Sequence, residues 1–200
     1  MKKLLVVALI CTGTLTAGAQ AQFAVGIKGG PNFAKLDVNS SAGENYKNRT
    51  GFHGGAFALI KLTKIGIQPE LLFSQQGSKV KFNSGDGEAN FNYLNIPVML
   101  KLYTVAGINL QAGPQFGFLT GGEIKQNYQG STYTEKAKNL YKGSDVSLGL
   151  GVGWDLPFGL TIDARYNLGL SKIEDDASLQ ATKNQVIQLS LGYKLIKLGK

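Results

Sequence analysis

This chain has almost no thiol or imidazole chemistry to draw on: of its 200 residues, one is cysteine (Cys11) and one is histidine (His53). A single cysteine forms no disulfide within the chain, and a zinc site built on Cys and His is not expected. Acidic residues are also scarce, with 13 Asp and Glu against 21 Lys and Arg, giving a net charge of +8. Beyond the N-terminus no apolar run approaches the roughly 18 residues that a membrane-spanning helix requires. Helical membrane proteins are therefore excluded, and no cofactor motif is evident. Glycine, by contrast, is plentiful, at 27 residues.

The first 21 residues carry Lys2 and Lys3, an apolar stretch from Leu4 to Ile10, then small residues ending in Ala19-Gln20-Ala21. This pattern predicts a signal peptide over 1–21, cleaved on export, and one mature domain over 22–200. The apolar stretch is too short for a spanning anchor. Ile10, where a lipoprotein needs a small residue before the cysteine, argues against lipidation of Cys11. Removing Lys2 and Lys3 leaves 19 basic against 13 acidic residues, a net +6.

The mature chain is organised in steps of two. In "DVSLGLGVGWDL", Val146, Leu148, Leu150, Val152, Trp154 and Leu156 alternate with Ser147, Gly149, Gly151, Gly153 and Asp155. A dinucleotide-binding loop would need a third glycine where Trp154 stands, followed by a helix. The glycines instead line one face of a strand. The same alternation runs through "QFAVGIKGGPNF", "GFHGGAFALIKL", "IGIQPELLFSQ", "YLNIPVMLKLY", "INLQAGPQFGFL", "LTIDARYNLGLS" and "QVIQLSLGYKL", which makes eight strands. Tight turns are expected near Thr63-Lys64, Thr104 to Gly107 and Leu156 to Gly159, and long polar loops over roughly 34–50, 77–90, 121–143 and 172–184. The predicted fold class is all-β: an eight-stranded antiparallel up-and-down transmembrane β-barrel with its long loops at one end.

The choice between a membrane barrel and a secreted soluble barrel of the lipocalin kind rests on where charge sits. One face carries Lys28, Lys61, Lys101, Arg165, Lys194, Glu70, Asp145, Asp155 and Asp163, with glycines and amides between them, while the other is nearly uncharged at mid-strand. Lipid demands an apolar outer band over a polar interior. About eleven residues at ~3.3 Å each, tilted by roughly 40°, cover somewhat under 30 Å, close to the hydrocarbon thickness. Phe33, Phe52, Phe73, Phe116 and Phe118 fall toward the long loops and Phe23, Trp154 and Tyr193 toward the tight turns, as two interfacial girdles; Tyr166, at mid-strand, belongs to neither.

The segments "GIKGGPNFAKL", "GFHGGAFALIKL", "IQPELLFSQQG", "YLNIPVMLKLY", "GPQFGF", "SLGLGVGWDL", "ARYNLGLSKI" and "QLSLGYKL", in that order, resemble the PorT-type outer-membrane β-barrel family. The resemblance covers nearly the whole mature chain. It implies an eight-stranded barrel in the outer membrane of a Gram-negative bacterium, in a family some of whose members are linked to protein secretion and motility machinery. It assigns no functional residue.

Nine interior charges in a narrow barrel are expected to pair with one another as a structural network that plugs the lumen. A small porin or passive channel is the alternative. A lipid hydrolase using His53 with Ser171 or Ser190 is a third reading, though the sequence places neither serine near His53. Glu174, Asp175 and Asp176 could hold calcium, but read better as solvated charge. Near-balanced loop charge excludes a nucleic-acid footprint. The loop from Gly121 to Lys142, with Tyr128, Tyr133 and Tyr141, is the candidate interaction surface. The sequence thus points to a non-enzymatic barrel without cofactors, whose partners are outer-membrane lipid and other envelope or secretion-machinery proteins.

Overall fold

The computed structural model describes residues 21–38, 45–82, 85–128, 131–136, 143–171 and 182–199. Residues 1–20 of the expected signal peptide, Tyr141 and the acidic trio Glu174, Asp175 and Asp176 lie outside the described residues. Among the described residues nine strands follow in chain order: β1 (Ala21–Val38), β2 (Asn45–Leu62), β3 (Ile65–Phe82), β4 (Gly85–Tyr103), β5 (Ile108–Tyr128), β6 (Ser131–Lys136), β7 (Ser144–Asp155), β8 (Leu160–Gly169) and β9 (Thr182–Leu198). Each main strand pairs antiparallel with its sequence neighbour, and β1 pairs with β9 from Phe23↔Leu198 to Val38↔Thr182. β6 pairs with the far end of β5, Glu123↔Lys136 to Tyr128↔Ser131. Setting β6 aside, eight strands close into a ring, so the barrel has no open edge in its wall.

The tight turns fall where the alternation stops. Gly107 (φ +82°) and Gly159 (φ +105°) take left-handed conformations there, and Ile108 N–H donates to the Val105 carbonyl at 3.1 Å to close one of these turns. The opposite end differs from the sequence expectation. Much of what reads as long polar loop is paired strand: Gly77 to Phe82 pair with Asn90 back to Gly85, and Gly85 to Glu88 pair on to Tyr128 to Lys125. Backbone pairing continues there although the two-residue pattern does not. On β6 both faces are exposed, and a ribbon of that kind gains nothing from alternation, so periodicity cannot report it.

The outer face is apolar along its length. Leu100, Leu110, Leu150, Val152, Leu189 and Leu191 are each between 44% and 57% exposed. A continuous belt of that kind far exceeds the few hundred Å² that a soluble protein leaves bare, and matches a hydrocarbon solvent. Trp154 donates its indole N–H to the Ala106 carbonyl at 3.0 Å. Tyr166, which fits neither girdle, donates its hydroxyl to Gln185 Oε1 at 2.9 Å, so its polar tip is satisfied at an outward position.

The inner face is less polar than the sequence suggests. Phe57, Leu59, Leu72, Phe91, Tyr93 and Met99 are buried inside along with the charges. Phe57 and Leu59 share the parity of His53, so β2 is apolar on both faces near its end, and for that reason its alternation is hard to read. A Cβ built on Gly26 would come 2.6 Å from Phe57 Cζ: the absent side chain on β1 is the space this ring occupies.

Candidate functional site

The interior holds one connected network of charge. Arg165 on β8 forks onto Glu70 on β3, with Nη1 to Oε2 at 2.8 Å and Nη2 to Oε1 at 2.6 Å. In a ring of eight, β3 and β8 stand opposite, so this bidentate pair spans the diameter. Gln68 donates to Glu70 at 2.6 Å, and Gln111 accepts from Arg165 Nε at 2.7 Å while donating to Asp163. Lys28 on β1 lies 2.6 Å from Asp163 and 3.4 Å from Glu70. Lys101 on β4 links Asp163 (3.7 Å) to Asp155 (3.2 Å), and Asp155 also takes Lys194 at 2.9 Å and the Tyr103 hydroxyl at 2.8 Å.

Seven of the nine charges singled out in the sequence therefore meet: Lys28, Glu70, Lys101, Asp155, Asp163, Arg165 and Lys194. Every one of them is at most 8% exposed. Four cations face three carboxylates, and each ion has a partner of opposite sign, as burial at this depth requires. Lys61 and Asp145 stand apart. Lys61 lies 4.0 Å from the centre of the Tyr103 ring, with no carboxylate in ion-pair range among the described residues. Asp145 accepts a hydrogen bond from the Ser171 hydroxyl at 2.6 Å. Parity along a strand fixes which face a residue takes but not which charges it meets across the interior.

Gly153 answers the question raised by the alternating glycines. A Cβ there would fall 2.6 Å from Asp163 Oδ1 and 2.7 Å from Asn109 Oδ1, and would collide with the Gln111 amide. The glycine face of β7 is where side chains from β5 and β8 lie.

Closer to the long-hairpin end is a second, uncharged group that the sequence did not reveal. His53 Nδ1 lies 2.8 Å from Asn32 Oδ1, and its Nε2 lies 2.8 Å from the Ser190 hydroxyl. Asn32 donates its amide N–H to Ser74 Oγ at 2.8 Å and to the Gln75 carbonyl at 3.1 Å, which turns its Oδ1 toward the imidazole. That orientation assigns the imidazole proton to Nδ1 and makes Nε2 the acceptor of the Ser190 hydroxyl. The sequence separation of 137 residues between His53 and Ser190 is bridged only by closure of the ring. The order of atoms is that of a nucleophile, base and orienting amide, but Ser190, His53 and Asn32 are 6%, 5% and 0% exposed, so the hydroxyl is shielded from solvent. Ser171, the other serine considered with His53, is engaged by Asp145 and by the Val146 N–H. His53→Ala is expected to cost about 1–3 kcal/mol in urea unfolding, through the unsatisfied Asn32 and Ser190 groups. A fluorophosphonate probe is expected to leave Ser190 unlabelled in both proteins.

On the candidate interaction surface, Tyr133 is exposed on β6 opposite Gln126 of β5. Tyr128 pairs through its backbone with Ser131 at the tip of the same hairpin.

An antiparallel ring of eight strands with a lipid-type outer belt and a charged interior defines the class, a bacterial outer-membrane β-barrel. The chain belongs to the outer membrane protein beta-barrel domain family, whose model matches residues 18–175. Its location is therefore the outer membrane of a Gram-negative bacterium. No curated relative matches the sequence. Among solved structures, the attachment invasion locus protein Ail of Yersinia pestis in complex with the heparin analogue sucrose octasulfate is 14% identical, over 90% of this chain and 99% of that one, with a TM-score of 0.51. Neisserial surface protein A is 12% identical, over 86% and 97%, with a TM-score of 0.49. The likeness to Ail extends to the fold alone.

Proposed function

We propose that this protein is a non-enzymatic outer-membrane barrel of PorT-type lineage, exported with a cleaved signal peptide over residues 1–21. Its own side chains plug its lumen, and it acts as a structural or interaction protein. The observation that carries the plugged reading is the Arg165–Glu70 fork across the diameter, cross-braced by Lys28, Lys101 and Gln111. A solute would have to break buried charge pairs in order to pass. Specificity then falls to the hairpins at the far end, where exposed Tyr133 on the β5–β6 ribbon offers a rigid aromatic contact for an envelope or secretion-machinery protein. Membrane lipid is the other partner, and the near-balanced charge of the hairpins does not suit nucleic acid.

The test is conductance. Refolded into a planar bilayer, the barrel is expected to give no steady ohmic steps at neutral pH. Regular steps, altered in size by Glu70→Gln, would replace this reading with that of a small porin.

A further inference from the structure

The tight-turn end of the barrel contains a cation-rich cavity that adjoins the interior network at Asp155 and Lys194. It encloses about 520 Å³ and is lined by Lys61, Trp154, Asp155, Lys194 and Lys197, among others. Asp155 is the one carboxylate in its lining among the described residues, and that group is already held by Lys194 at 2.9 Å, Lys101 at 3.2 Å and the Tyr103 hydroxyl at 2.8 Å. Two ammonium groups have no carboxylate within ion-pair distance among the described residues. Lys61 sits 4.0 Å from the Tyr103 ring centre, a contact that orients an ammonium without neutralising it. Lys197 donates to the Pro157 carbonyl at 2.8 Å, a neutral partner. The interior network, which includes the lining residues Lys194 and Asp155, itself holds four cations against three carboxylates, so with Lys61 and Lys197 the potential at this mouth is positive.

A cavity of this size and sign suits a phosphate group, for which lysine is a common point-charge ligand. Its position indicates the source. Trp154, whose outward indole is tied to the Ala106 carbonyl, lines the cavity and marks the interfacial level where lipid headgroups lie. We infer that this cavity is a binding site for the phosphate of a phospholipid headgroup from the adjacent leaflet, with Lys61 and Lys197 as its ligands and Trp154 at its mouth. Lys194, committed to Asp155, supplies field rather than direct contact.

Native mass spectrometry of the refolded protein in a maltoside detergent tests this directly, with phosphatidylglycerol and inorganic phosphate as probes. Phosphatidylglycerol is expected to remain on the wild type and on Lys64→Gln, a control at an exposed tight turn outside the cavity lining. The pair Lys61→Gln/Lys197→Gln is expected to retain about tenfold less. Folding of each protein is checked by its heat-dependent gel shift; should the pair fail to fold, Lys197→Gln alone, at an exposed position, is expected to retain several-fold less. Equal retention by wild type and lysine variants overturns the site. Loss on Lys64→Gln equal to that on the pair also overturns it, by showing general surface attraction. If millimolar phosphate displaces the lipid completely, the lipid source is overturned in favour of free phosphate.

Discussion

Glu70→Gln is expected to lower the urea midpoint of the refolded barrel by the equivalent of about 3–5 kcal/mol, the usual loss when one partner of a buried ion pair is removed. Glu70 accepts two hydrogen bonds from Arg165 and one from Gln68, and faces Lys28 at 3.4 Å. A neutral amide offers one acceptor oxygen where the fork needs two, and it leaves four buried cations against two carboxylates. The desolvation of Arg165 is then uncompensated, in a place where salt cannot screen it. Glu88→Gln is the internal contrast: Glu88 also pairs with an arginine, Arg49 at 3.4 Å, but its side chain is 37% exposed, and its loss should cost about 0–1 kcal/mol. Combining Glu70→Gln with Arg165→Met is expected to recover at least half of the loss, because the charge that had been stranded is gone. The heat-dependent gel shift, read across a urea series, measures all four proteins. Equal midpoints for Glu70→Gln and Glu88→Gln would mean that the interior is wet and the network contributes little.

The wall of this barrel was legible in the sequence and much of its interior was not, for a physical reason. Lipid outside and side chains inside impose a strict period of two, so Leu150 and Val152 could be separated from Gly151 and Gly153 by counting. Which inward residues meet is set by strand stagger and ring closure, information spread across the whole chain. Parity placed Lys61 and Asp145 on the same face as Glu70, but Lys61 meets the Tyr103 ring and Asp145 the Ser171 hydroxyl instead of an ion of opposite sign. Ser190 meets His53 because β1 bridges β2 and β9, a neighbour relation that no local pattern carries. The ribbons at the far end were missed for the opposite reason: both faces of β6 are exposed, so no burial pattern marks it. Phe57 and Leu59 were missed as interior residues because they sit opposite other apolar residues and blur the alternation.

Gly153→Leu is expected to cost about 3 kcal/mol from overpacking and broken polar contacts together. The first atom of a side chain would already lie 2.6 Å from Asp163 Oδ1 and 2.7 Å from Asn109 Oδ1. The three groups in the way are side-chain ends that could move if they were free. They are not free: Gln111 bonds both Arg165 and Asp163, Asp163 holds Lys28, and Asn109 accepts from Gln111. Moving any of them loosens the fork onto Glu70, so the strain spreads across the diameter instead of relaxing locally. Gly121→Leu supplies the comparison, since a Cβ there meets nothing within 4 Å and should change stability by no more than about 0.5 kcal/mol. Urea midpoints and refolding yields of the two variants decide the matter. A Gly153→Leu barrel as stable as wild type would mean that the network yields without cost and that the interior has spare room, the condition under which a conducting lumen becomes the better account of this protein.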